Sequence, residues 1–394
     1  MTDPLGYLRT QLDELDASGL RLRIRTLEDT QAARCRFDGR DVINLASNNY
    51  LGLCGDPRMK EAAAEAAREF GAGSGAVRSI AGTMSLHREL EQRFAAFKGA
   101  EAALMFPSGF AANAGTVSAI LTREDVIVSD ELNHASIIDG ARLSRAEIKV
   151  FPHRDVAAAD RLLEETASEG RNQLLTTDGV FSMDGDIAPL PELVEVAEKH
   201  GAIMMIDDAH ASGVLGEHGK GTVSHFGLDP KRVDIQVGTL SKAIGVLGGF
   251  IAGPAHLVEW LQNRGRPFIF STSAPPAVAA ACIKALDVLE QEPERVDRLW
   301  ERTRFFKDGL EKLGFDTGSS QTPITPVIAG EAARAQQLSA QLWDEGVFTP
   351  AVVFPTVAKD RARVRTIVTA DHTEEDLKEA LDAFERVGRR LGLI

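Results

Sequence analysis

The 394-residue chain reads as an α/β protein with a mainly parallel central sheet in a large domain and a smaller α+β domain beside it. Three observations predict this. Short apolar or β-branched runs alternate with longer helical patterns through the middle of the chain, as βαβ units require. The length suits one large core with a companion. Near Gln291 the pattern changes to a long charged helix followed by a few strands.

Strands of the large domain are expected at ALMF (103–106), DVIVSD (125–130), IKVF (148–151), QLLTTDG (173–179), AIMMID (202–207), DIQVGT (234–239) and GGFIAG (248–253). Between them, SLHRELEQRFAAFKG (85–99) sets Leu86, Leu90, Phe94 and Phe97 at helical spacing, and PELVEVAEKHG (191–201) is another helical stretch. Residues 55–290 are therefore expected as the large domain. Beyond it, PITPVIAG, VFTPAVV and RARVRTIV supply strands, and Thr373 to Leu391 a closing amphipathic helix. Residues 291–394 are expected as the small domain, with segment 1–54 packing against it.

Hydrophobic residues make up 44% and charged residues 26%, and no apolar run approaches the ~20 residues of a membrane span, so no membrane association is expected. The N-terminus carries acids early, unlike a signal peptide. Cys35, Cys54 and Cys282 lie far apart without CxxC spacing, which argues for reduced thiols in a cytoplasm. A net charge of −14 disfavours nucleic acid as a partner. Arg21, Arg23 and Arg25 in RLRIRTL alternate as on one strand face, either a solvated edge or a patch for an anionic ligand.

Two glycine-rich segments, GEHGKGT (216–222) and GAGSGAV (71–77), lack the spacing and context of phosphate-binding loops. Asp207, Asp208 and His210 have no further ligand nearby, so no metal site is expected.

In open parallel sheets, ligands bind beyond the carboxyl ends of the strands. The residues there are Ser108-Gly109-Phe110, His134, Ser182, Asp207 with His210, and Thr239 with Lys242. This set meets the needs of a phosphorylated aromatic aldehyde cofactor. Lys242 offers an amine for a Schiff base, and removal from bulk water would lower its proton affinity. Asp207 can pair with a pyridinium, His134 can stack on the ring, and Ser108-Gly109-Phe110 opens a helix whose free amides favour a phosphate. Taken singly, each has an ordinary structural explanation, such as a solvated lysine or a helix cap. Their joint occurrence in chain order carries the reading.

The motifs NNYLGL (48–53), VRSIAGT (77–83), SDELNHASIIDGARL (129–143), TDGVFSMDGDIAPL (177–190), IDDAHASGVLGEHGKG (206–221), TLSKA (239–243), RPFIFSTSAPPA (266–277) and RVRTIVTADHT (363–373) together resemble the α-oxoamine synthases, which depend on pyridoxal 5′-phosphate. The likeness spans nearly the whole chain. It implies the aspartate-aminotransferase-like fold type I, with Lys242 as the Schiff-base lysine, Asp207 on the ring nitrogen and His134 on the ring face. By the same resemblance, Ser182 and His210 bind the phenolic oxygen, and Thr239 with the backbone at Gly109 and Phe110 holds the phosphate. Ser271 and Thr272 complete the phosphate site from a partner subunit, which implies a homodimer. Asn48 and Arg365, and more weakly Arg21, match positions that bind the amino-acid carboxylate.

Within the family, VRSIAGT and NHASIIDG lean toward the glycine C-acetyltransferases. The expected reaction is then glycine with an acyl-CoA, acetyl-CoA favoured, giving 2-amino-3-ketobutyrate and CoA. The alternative is 8-amino-7-oxononanoate synthase chemistry, in which a pimeloyl thioester and L-alanine condense with decarboxylation, or a broad acyl-CoA range. A nucleotide-dependent oxidoreductase lacks its GxGxxG fingerprint here. A non-enzymatic scaffold has no use for the Lys242, Asp207, His134, His210 and Arg365 set.

Overall fold

The computed structural model describes residues 3–18, 20–21, 24–168 and 170–394. Helix α1 (Tyr7–Ala17) buries none of its side chains. Strands β1 (Arg34–Phe37) and β2 (Arg40–Asn44) pair as an antiparallel hairpin. Helix α2 (Pro57–Phe70) starts at Asp56, whose carboxylate accepts from the Arg58 amide, with proline at the first helical position. Helix α3 (Ser85–Lys98) turns its Leu90 and Phe94 inward and ends at Gly99 in the left-handed region.

An alternating stretch follows: β3 (Ala102–Phe106), α4 (Gly109–Ile120), β4 (Val126–Asp130), α5 (Ala135–Ser144), β5 (Glu147–Phe151), α6 (Val156–Thr166), β6 (Gln173–Asp178), α7 (Leu190–His200) and β7 (Ile203–Asp207). A short α8 (Thr222–His225) leads to β8 (Ile235–Thr239) and β9 (Gly249–Gly253). The seven strands β3 to β9 form one sheet in the order β3-β9-β8-β7-β6-β4-β5. Strands β4, β6, β8 and β9 are buried at every position, because helices cover both faces. One face packs on α6 and α7 through Leu163, Leu193 and Val194, the other on α4 and the later helix α9 (Ala255–Arg264) through Val117, Val258 and Leu261.

The sheet departs from parallel at one strand. β9 runs antiparallel to both β8 and β3. Residues 240–248 are too few for the crossover that a parallel return needs. That short connection carries Lys242.

Helices α10 (Arg266–Ile269), α11 (Pro276–Gln291) and α12 (Glu294–Leu313) lead to β10 (Ile324–Gly330), α13 (Ala332–Asp344), β11 (Val347–Phe348), β12 (Ala351–Val352), β13 (Ala362–Ile367) and α14 (Glu374–Leu391). β13 lies between β10 and β12, and β11 joins β2 in parallel. Ile43 and Leu45 consequently share an apolar cluster with Phe306, Val364 and Phe384. The run VFTPAVV forms two short strands in different sheets rather than one, since Pro350 between them has no amide to continue a ladder. Helix α14 opens with a reciprocal cap between Thr373 and Asp376 and closes at Gly392.

RLRIRTL does not form the expected strand. Arg25 lies 3.5 Å above the Trp343 ring and pairs with Asp38 at 3.1 Å, while Arg21 pairs with Asp16. Arg23 lies outside the described residues. Among the described residues only the segment's end touches a strand, through the Leu27 bridge to Phe37, and each of these two guanidinium groups has its own partner. Among the described residues no helix is long and apolar enough to cross a membrane.

Candidate active site

The parallel register brings the carboxyl ends of β4, β6, β7 and β8 to one edge, with Asp178 beside Asp207 and Asp207 beside Val237. A cavity of about 270 Å³ opens there. Among the expected residues, Ser108, Gly109, Phe110, His134, Asp207, His210, Thr239 and Lys242 line it. Asp207 and Thr239 end β7 and β8, and the others stand just past a strand, where the backbone leaves the sheet.

At the first wall, the Ser108 hydroxyl caps α4 by accepting from the Ala111 amide at 3.0 Å. The amides of Gly109 and Phe110 have no acceptor among the described residues. A side chain on Gly249 would meet the Gly109 nitrogen at 2.5 Å, so glycine there lets β9 pass close under this helix start. Thr239 Oγ1 lies 3.1 Å from the Gly248 carbonyl and 2.8 Å from Ser241 Oγ.

Asp207 accepts from the Ala209 amide at 2.8 Å and from Asn113 Nδ2 at 2.6 Å. The same Asn113 group donates to Ser136 Oγ at 2.9 Å, and Ser136 Oγ lies 2.7 Å from His134 Nδ1. The Ser136 amide also points at Nδ1, at 3.3 Å. With both of these donors directed at Nδ1, the proton of the neutral imidazole belongs on Nε2. Burial is the main cause lowering the proton affinity of His134, with Lys242 adding to it and Asp207 opposing.

Lys242 has no hydrogen-bond or ion-pair partner among the described residues. Burial lowers its proton affinity, with Arg365 adding to the effect and Asp207 and Asp178 opposing it. The side chain is half-buried and lines the cavity. His210 is held well below the ordinary imidazole range, first by burial and then by Lys242, Arg365 and His134. Its Nδ1 lies 2.7 Å from the Tyr50 hydroxyl. Asp178 is raised well above the usual carboxylate range by burial and by its neighbour Asp207, since two adjacent carboxyls resist ionising together.

Other expected residues stand elsewhere. Ser182 lines a second cavity beside the first, and its carbonyl accepts from Arg365 Nη1 at 3.0 Å. Arg365 Nε and Asn48 Oδ1 are buried without partners among the described residues. Ser271 and Thr272 line a narrow crevice with Arg78 and His87, apart from the first cavity. Arg21 is exposed and outside the cavity lining, paired with Asp16. Asp208 turns away from the cavity to pair with Lys98 at 2.7 Å, both fully buried, and also accepts from Thr222. That pairing explains the segment 216–222: a side chain on Gly221 would meet Asp208 Oδ2 at 2.1 Å. Among the described residues no His, Cys, Asp or Glu cluster could hold a metal ion.

Sequence reasoning missed Asn113, Ser136, Asp178 and Ser241 as lining residues, and Tyr50 behind His210. Asp178 had a usable signal, because it ends a strand exactly as far along the register as Asp207. Ser136 had the signal of standing two residues after His134 at the start of the same helix, whereas Asn113 had none and enters the site only through helix placement.

Comparison with known proteins agrees with this geometry. The family model described as aminotransferase class I and II matches residues 40–384. The chain is 59% identical over 388 residues to an 8-amino-7-oxononanoate synthase of Symbiobacterium thermophilum, covering 98% of this chain and 99% of that one. It is 53% identical to 8-amino-7-oxononanoate synthase 1 of Bacillus subtilis, with both chains fully covered. Among solved structures, the serine palmitoyltransferase of Sphingomonas wittichii superposes with a TM-score of 0.94 at 33% identity, with both chains fully covered.

These relatives overturn the lean toward glycine C-acetyltransferase. The full-length matches at 51% to 59% identity are 8-amino-7-oxononanoate synthases, the alternative reading. Of the two motifs behind that lean, NHASIIDG lends His134 and Ser136 to the cavity, while VRSIAGT lends Arg78 to the separate crevice beside Ser271 and Thr272. Acyl-chain choice is made by lining that motif wording does not encode.

The cavity fits pyridoxal 5′-phosphate on its own chemistry. Among the described residues it holds an unpartnered half-buried amine, a carboxylate with no cation at ion-pair distance, free amides at a helix start and an unpaired imidazole nitrogen. The chain belongs to the pyridoxal-phosphate-dependent aminotransferase class I and II family, of the α-oxoamine synthase type.

Proposed function

We propose that the protein is an 8-amino-7-oxononanoate synthase, condensing L-alanine with a pimeloyl thioester to give 8-amino-7-oxononanoate, carbon dioxide and the free thiol. The observation supporting this is full-length likeness, up to 59% identity, to enzymes of that name.

When bound, pyridoxal 5′-phosphate supplies an electron-accepting ring that makes the amino acid's Cα–H bond acidic. Lys242 would hold the cofactor's aldehyde carbon and, as a free amine, take the Cα proton. Its burial favours the unprotonated form that this needs. Asp207 would bind the ring nitrogen as a carboxylate, kept oriented by Asn113. His134, fixed through Ser136, would lie against the ring face and present Nε2–H. His210 would donate to the phenolic oxygen, joined by Ser182 from the adjoining cavity. Thr239, Ser108 and the amides of Gly109 and Phe110 would hold the phosphate.

Arg365 and Asn48 would bind the alanine carboxylate, which would supply the partner that Arg365 Nε lacks. Ser271 and Thr272 stand apart from this chain's own cavity, so their part in phosphate binding requires a second copy. Exposed Ile80 and Phe270 are apolar surface that such a homodimer would cover.

The test is an assay of CoA release and carbon dioxide evolution. L-Alanine with pimeloyl-CoA should turn over with stoichiometric carbon dioxide. Turnover of glycine and acetyl-CoA in preference to that pair, without carbon dioxide, would refute the reading.

A further inference from the structure

The second cavity, of about 220 Å³, shares a wall with the first: Val180 lines one and Phe181 the other. Leu132, two positions before His134, also lines the second cavity. Its walls are apolar at Leu132, Phe181, Met183 and Val357, and it contains two guanidinium groups, Arg361 and Arg363.

The two arginines differ in what they hold. Arg363 is committed to the fold: it is 3% exposed, and its Nη1 donates to Asp184 Oδ1 at 2.5 Å and to the Met183 carbonyl at 3.0 Å. Arg361 is exposed, and its side chain has no hydrogen-bond or ion-pair partner among the described residues. Asp184 is neutralised by Arg363, so Arg361 is the uncompensated charge of the groove. A groove that starts beside the reacting end, runs along apolar side chains and holds a free guanidinium matches an acyl chain that ends in an anion.

We propose that Arg361 binds the distal carboxylate of a dicarboxylic acyl thioester, with the methylene chain lying along Leu132, Phe181, Met183 and Val357. This rests on the 8-amino-7-oxononanoate synthase reading, whose product keeps such a carboxylate. A guanidinium suits a carboxylate through paired N–H···O bonds. A thioester of the same length ending in methyl would leave Arg361 against an apolar group and forfeit that pairing.

The experiment compares kcat/KM of the holoenzyme for pimeloyl-CoA and for heptanoyl-CoA, with saturating L-alanine, in the wild type, Arg361→Gln and Arg361→Lys. The wild type should prefer pimeloyl-CoA. Arg361→Gln should lower the pimeloyl-to-heptanoyl ratio roughly 10- to 100-fold, mainly through the thioester KM, as expected for a lost charged hydrogen bond. Arg361→Lys should recover part of the ratio, and the KM for alanine should hold steady in both variants. An unchanged ratio in Arg361→Gln overturns the proposal. So does an equal loss with both thioesters accompanied by a raised alanine KM, the mark of a merely structural role. A wild type that ignores pimeloyl-CoA but uses another acyl-CoA would sink the functional reading itself, a separate and recognisable failure.

Discussion

The Tyr50 hydroxyl lies 2.7 Å from His210 Nδ1, and it is the hydroxyl's only partner among the described residues. Burial raises the phenol's pKa, so it stays a donor. If Nδ1 donated instead, the phenol proton would be buried without an acceptor. The arrangement that satisfies both groups has Tyr50 donating to Nδ1, which leaves the His210 proton on Nε2. Tyr50 thus positions His210 to donate. Tyr50→Phe should shift His210 toward the Nδ1–H tautomer, read from imidazole ¹⁵N shifts in the apoprotein. Turnover should fall about 10-fold, as for loss of an orienting hydrogen bond. Unchanged ¹⁵N shifts would refute the assignment.

Lys242→Ala should abolish borohydride-fixable cofactor attachment and reduce turnover by at least about 10³-fold. Removing a half-buried, unpartnered ammonium should leave the thermal transition of the apoprotein unchanged or raised. A variant that still fixes cofactor would place the attachment elsewhere.

Asp207→Asn should damage catalysis far more than folding. Burial and then the Asp207 charge raise the Asp178 pKa, so removing that charge should lower it, visible by carboxyl ¹³C titration. Turnover should drop about 100-fold or more while the melting temperature moves little. A large loss of stability with modest kinetic change would mark Asp207 as structural.

His153 bridges Asp130 at 3.0 Å and Asp186 at 2.8 Å, joining the loop before His134 to the turn that carries Ser182. Burial opposes its protonation, but the two carboxylates win and raise its pKa to about 9. A raised folded-state pKa contributes stability that is complete below the unfolded value near 6.5 and is lost as pH rises through about 9. Stability measured by urea unfolding should therefore fall between about pH 6.5 and 9 by on the order of 2–3 kcal/mol in the wild type. His153→Gln should be less stable at pH 6 and show a flatter profile. Parallel profiles would exclude the bridge as their source.

Lys98 and Asp208 form a fully buried ion pair behind the sheet edge that carries Asp207. Lys98→Ala strands the Asp208 charge and should destabilise the fold by about 3–5 kcal/mol. The double variant Lys98→Met, Asp208→Leu should recover part of that loss. Equal melting temperatures for Lys98→Ala and the wild type would contradict a buried, uncompensated charge.

The inner strands were legible because both faces of the sheet are covered there, so each reads as a short apolar run, whereas the edge strand β5 is mostly exposed. The reversal of β9 was less so, since GGFIAG looks the same in either direction and only the shortness of its connection hints at it. Lys242, Asp207, His134 and His210 were legible because each stands at or just past the carboxyl end of a strand in a motif-rich segment. The split of VFTPAVV turned on one proline, visible in sequence but weighed too lightly.

By itself, then, the sequence determined the covalent inventory and its periodicities: seven apolar runs, the polar residues that close them, and a reaction family. Tertiary structure decided what those groups meet. Sheet register sets Asp178 beside Asp207, helix placement carries Asn113 to both Asp207 and Ser136, and the fold directs Asp208 to Lys98 while its neighbour Asp207 faces the cavity. The physical reason is range: periodicity and capping act between residues a few positions apart, whereas electrostatic and hydrogen-bond partners here come together from 110 positions away for Lys98 and Asp208 and from 183 for Arg365 and Ser182.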